Sequence, residues 1–133
     1  MTHLLRGVAD DLEACAAMQL MLDDQFNAAL CHKSAALAEL ATNIVLAVDA
    51  MEMRRQERLK LVTLLLGPKA TMADTFALLK GATREKLEAN WAELEKRVTE
   101  CKRLNARNNA LLTEQYSIMQ RVLHGEDQIY APA

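Results

Sequence analysis

The sequence predicts an all-α fold: an elongated antiparallel helical bundle of about three long helices with coiled-coil-like packing and one short connecting helix, forming a single domain over residues 1–133. Three observations carry this. Glycine (4) and proline (2) are scarce in 133 residues, so few points interrupt a helix. Ala, Leu, Met, Glu, Lys and Arg dominate, and all are strong helix formers. Apolar residues recur at steps of three and four over most of the chain, the period of an amphipathic helix.

The first helix is expected at 3–31. Its stripe runs through Leu5, Val8, Leu12, Cys15, Met18, Leu22, Phe26 and Ala29. Cys31-His32-Lys33 interrupts the pattern, and Ser34 is a candidate cap for a second helix at 34–66. That helix carries Leu37, Leu40, Ile44, Val48, Met51, Leu59, Val62 and Leu66, thinning to a charged stretch around Arg54-Arg55. Gly67-Pro68 stops it, because glycine suits a C-terminal cap and proline cannot continue the helix. A short amphipathic piece at 71–79 follows.

The longest helix is expected at 83–124, capped by Thr83 and ended by Gly125, with an extended tail at 125–133. Its residues Leu87, Trp91, Leu94, Val98, Cys101, Asn105, Asn108, Leu112, Gln115, Met119 and Val122 alternate steps of four and three, a heptad seam. A parallel stripe of Leu104, Leu111 and Ile118 flanks it. Helices this long cannot all be covered in a short globule, so the last one is expected to overhang or to stay partly open.

Chemistry is hard to find. His3, His32 and His124 are scattered, with no Glu-x-x-His pair for a di-iron bundle. Cys15, Cys31 and Cys101 match no zinc spacing and read as free thiols of a reducing compartment. No phosphate-binding glycine loop and no nucleophile elbow occurs. No enzyme activity, no cofactor and no metal are expected. The formal net charge of −2, with acids interleaved among the basic residues of the last helix, does not favour nucleic acid. No stretch approaches the roughly 20 apolar residues of a membrane span. A soluble cytoplasmic protein is expected.

The amides in the last seam need an explanation. A buried polar residue can fix the register of a coiled coil at some cost in stability. Asn105, Asn108 and Gln115 are numerous for that role, because each buried amide needs partners. Alternatively the face is open and awaits an external helix. Both readings stand on the residues alone.

The segment LNARNNALLTEQ (104–115), followed by Val122 and by Ile129-Tyr130, resembles the FlgN family of flagellar type III export chaperones. Leu104, Asn105, Asn108, Leu111, Leu112 and Gln115 match its pattern in order. Family members often carry Gly and a longer polar tail after the tyrosine; here the chain reads Tyr130-Ala131-Pro132-Ala133. The resemblance implies a cytoplasmic, substrate-specific chaperone that binds the C-terminal helical segment of hook-filament junction proteins (FlgK and FlgL) and delivers them to the export gate component FlhA. It implies substrate contacts at Leu104, Asn105, Asn108, Leu111, Leu112, Gln115, Met119 and Val122, and a gate contact at Tyr130. Such a chaperone is expected as a monomer or a weakly self-associating dimer. The competing reading is a structural coiled-coil adaptor that uses the same stripe to self-associate.

Overall fold

Four helices make up nearly all of the described residues: α1 Thr2–Leu30, α2 Ser34–Leu66, α3 Met72–Phe76 and α4 Gly81–Tyr130. They are seen in a computed structural model that describes residues 1–130, with side chains through Gly125. Among the described residues there is no strand.

The breaks between helices have local causes. His32 adopts a left-handed conformation, φ 54°. Its N–H donates to Ala29 O at 3.2 Å, and the N–H of Lys33 donates to Ala28 O at 2.9 Å. This pair of bonds closes the end of α1 in the way a glycine usually allows. Ser34 is the first residue of α2 and not its cap; Lys33 holds the cap position with no side-chain bond. Gly67, at φ 96°, ends α2 as the sequence indicates, and its N–H donates to Thr63 O at 2.9 Å. In α3 the Asp74 carboxylate accepts from the N–H of Thr71 at 2.8 Å, tying down the first turn.

α4 departs from the sequence-based bounds at both ends. It starts at Gly81, so Thr83 lies inside the first turn and caps nothing. It also passes through Gly125 and continues to Tyr130, where an extended tail is expected from the sequence. A lone glycine costs a helix only about 1 kcal/mol relative to alanine and does not by itself stop it. A Cβ placed on Gly125 would meet no packed neighbour within 4 Å among the described residues, so nothing packed there requires a turn. Fifty residues make a rod of about 75 Å.

α1 lies in the middle, with α2 and α4 along its two sides and no backbone contact between those two. Asp11 of α1 faces Arg54 and Arg58, while Met18 and Leu22 meet Ile44 and Met51, so α1 and α2 run antiparallel. Cys15, Leu22 and Ala29 face Cys101, Asn108 and Gln115, so α1 and α4 run parallel. The order is up, down, up, and α3 bridges α2 and α4 where α4 begins.

The accessible surface is 9258 Å². A compact monomer of this mass, 14.8 kDa, would expose about 7,000 Å². The excess reflects the overhanging rod and poorly covered α2, of which only Val62 is fully buried. Val48, Leu59 and Leu66 of its predicted stripe are exposed, as are Val45, Leu46 and Met53. Contrary to the sequence expectation, α2 is long and apolar enough by length and composition to cross a membrane. In this fold it instead lays one side against α1 and leaves the rest open.

Candidate functional site

The amides of α4 divide by depth. Asn108 is 1 % exposed. Its Nδ2 donates to Leu22 O and to Gln25 Oε1, both at 2.8 Å, and its Oδ1 accepts from Arg107 Nε at 3.2 Å. The buried amide is therefore satisfied on both ends. One heptad later, Gln115 Nε2 donates to Ala29 O at 2.9 Å. One heptad earlier, Cys101 Sγ sits 3.6 Å from Cys15 O. Each pair is separated by 86 positions. Three side chains seven residues apart on α4 thus touch three carbonyls seven residues apart on α1. A shift of α4 by one residue would break all three contacts, so this ladder fixes the parallel register. Arg107 reinforces it by pairing with Asp23 at 3.2 Å and lying over Phe26, 4.0 Å from the ring centroid.

Asn105 is different. It is exposed, on the side of α4 that borders the groove between α2 and α4. After Cys101 the buried seam passes to Leu104, Asn108 and Leu111, which turns Asn105 outward. Leu104 is buried in a cluster with Met18 and Leu22. Leu111 and Leu112 are half-buried.

The ladder ends where α1 ends. Gln115 reaches Ala29, and α1 stops at Leu30. Beyond this point α4 continues for about four turns with no other described helix packed against it. Met119 is 56 % exposed and Val122 58 %, and Tyr116, Ile118 and Leu123 are open as well. An apolar face of this kind, left uncovered by the described residues, points to an interaction site. Of the eight sequence-predicted substrate contacts, Leu104 and Asn108 are closed off against α1, and Gln115 is engaged there. Asn105, Met119 and Val122 are open, with Leu111 and Leu112 at the boundary. The side chain of Tyr130 lies outside the described residues.

A second feature escapes a reading by apolar stripes. Asp11 is 2 % exposed in the middle of α1. Its carboxylate accepts from Arg54, and from Arg58 at 2.8 Å, so one acid ties α1 to two turns of α2. Arg58 also lies 5.4 Å from the Trp91 ring centroid and links α2 to α4. The signal was available: Arg54 and Arg58 are four apart, and Asp11 is in phase with Val8 and Cys15. Next to this acid, α1, α2 and α4 enclose an open, mainly apolar groove of about 420 Å³. Met18 and Leu22 form its floor, Val48 and Met51 one wall, and Val98 and Asn105 the other.

The thiols are free. Burial, with Cys101 and Asp11 nearby, pushes Cys15 up to about 11, and burial also raises Cys101. Both stay neutral at physiological pH and behave as small apolar groups rather than nucleophiles. Among the described residues no group of three or more His, Cys, Asp or Glu is placed to hold a metal.

The family model described as FlgN protein matches residues 1–125. No curated protein and no solved structure matches the chain. The match spans the central helix, its two neighbours, the register ladder and most of the overhang, and on it the chain belongs to the FlgN family of flagellar export chaperones.

Proposed function

We propose that this chaperone captures the C-terminal helical segment of FlgK- and FlgL-like hook-filament junction proteins in the cytoplasm and presents them to the export gate component FlhA. The observation that carries this reading is the uncovered apolar stripe of α4 beyond the end of α1. Met119 and Val122, with Ile118 and Leu123 beside them, supply an adaptable surface. Leu111 and Leu112 extend the stripe toward the bundle, and Asn105 adds a polar contact that selects register. Leu104, Asn108 and Gln115 hold α4 on α1 and so aim the overhang. Burying each exposed apolar side chain contributes about 1.5–3 kcal/mol before ordering costs. A helix of matching stripe is thereby held without any nucleotide or metal. Tyr130, at the far end, is the proposed gate contact. The open stripe is also compatible with monomeric chaperone or weak self-pairing.

Calorimetric titration with the C-terminal segment of the cognate junction protein tests this. One-to-one binding is expected, with Met119→Asp weakening it about tenfold or more and leaving helicity by circular dichroism unchanged. Tyr130→Ala should keep that affinity and lose association with the gate protein. Wild-type affinity in Met119→Asp would remove the overhang from the account.

A further inference from the structure

We infer that the groove between α2 and α4, floored by α1, is a second seat for a partner helix: an amphipathic segment of three to four turns with acidic flanks, lying as the fourth member of the bundle. The inference rests on the chaperone reading above: the bound segment is taken to run from the overhang into the groove, where a further three to four of its turns are seated.

Three features argue for this occupant. The first is shape. The lining residues run from Ile44 to Arg58 on α2 and from Leu94 to Asn105 on α4, a length of about 18–22 Å. That is the length of a three- to four-turn helix, and α2 and α4 make no backbone contact with each other across it.

The second is charge. Arg55, Arg58 and Lys102 stand on the rim, against Glu52. Glu52 is held by Arg55 at 2.7 Å, and the one carboxylate of Asp11 is shared by Arg54 and Arg58. Lys102 has no ion-pair partner among the described residues and is exposed. The rim therefore carries excess positive charge around an apolar floor. A helix with carboxylates beside its apolar stripe satisfies both, whereas a second copy of this chain would bring the same basic rim against itself.

The third is continuity. Val98 and Asn105 on the groove wall lie on one line with Leu112 and Met119, each seven residues after the last. The α4 wall thus runs without interruption into the open stripe. One partner segment can follow that line from the overhang into the groove, which also gives Asn105 its contact. The Asn105 amide then pairs with a polar group of the incoming helix, while Asn108 stays with α1.

The test uses the full chain and the same C-terminal segment of the cognate junction protein. Val48 and Lys102 are exposed, so Val48→Glu and Lys102→Glu are expected to leave the thermal melt unchanged. Val48→Glu should weaken binding about tenfold, and Lys102→Glu should weaken it several-fold and reduce its salt dependence. If both variants bind like wild type while Met119→Asp does not, the groove is not a seat and the overhang reading survives. If wild type itself fails to bind, the chaperone reading falls first. If Val48→Glu only converts a dimer to a monomer with segment affinity intact, the groove is a self-interface and the inference is overturned.

Discussion

Leu87, Leu94 and Leu104 are buried on α4, whereas Ile118, Met119, Val122 and Leu123 of the same helix are open to solvent. Both sets follow the same three-and-four spacing, and their side chains are similarly apolar. The difference is set by the neighbour. α1 stops at Leu30, one residue after the carbonyl that Gln115 reaches. The upstream half of α4 is therefore part of a core, and the downstream half is an amphipathic helix whose apolar face none of the described residues covers. A helix that is sticky on one face and uncovered tends to fray or aggregate. Here the register ladder anchors its base, so the overhang begins from an ordered turn.

The largest expected effect separates the two attachments of α1. Asp11→Ala removes the acid shared by Arg54 and Arg58 and should lower stability by about 3–5 kcal/mol in urea unfolding, by loosening α2. Residual folded protein should still bind the partner segment through the α4 overhang. A loss below about 1 kcal/mol would mean that α2 is held by other contacts.

The next effect probes the two halves of α4 directly. Leu94→Ala should destabilise by about 3 kcal/mol through a core cavity. Met119→Ala should change stability by less than about 0.5 kcal/mol. Equal losses in urea unfolding would show that the overhang is packed, and the contrast between the halves would collapse.

The asparagines sharpen the boundary. Asn108→Ala leaves Gln25 without its amide partner and should cost about 1–3 kcal/mol. Asn105→Ala should be nearly silent in stability yet alter the affinity for the partner segment. The reverse pattern, in urea unfolding beside calorimetry, would exchange their assigned roles. The smallest effect is at the link. His32→Gly relieves a left-handed residue worth roughly 1–2 kcal/mol, partly offset by the greater freedom of glycine in the unfolded chain, and should stabilise by up to about 1 kcal/mol. A loss in the thermal melt would mean that the imidazole contributes something the backbone geometry does not reveal.

Much of this architecture was legible. The ends of α2 follow from the interruption at 31–33 and from Gly67-Pro68, whose backbone preferences are strong. The overhang follows from counting: the last helix is longer than its neighbours. Gly125 misleads because one glycine weakens a helix without ending it. The face of α2 is illegible because it is apolar on several sides, so Val45, Leu46, Val48 and Met53 blur any single stripe. The central position of α1 and the parallel run of α4 depend on contacts 86 residues apart, which local periodicity does not report. Asn105 and Asn108 both fall on the heptad line. Only the shift of the buried seam to Leu104 decides which one turns inward. Asp11 hides because an acid within an apolar stripe reads as an interruption, until the two arginines that neutralise it are placed opposite.

Hydrogen exchange along α4, measured on the free chain and with the junction-protein segment in excess, tests the central claim most directly. In the free chain the amides of 87–108 should exchange slowly and those of 116–125 quickly, with the change near Gln115. Added segment should protect 116–125 strongly and 87–108, already slow in the free chain, far less. Fast exchange in 116–125 that persists in the saturated complex, or strong protection there in the free monomer, would contradict an open overhang that a partner helix covers.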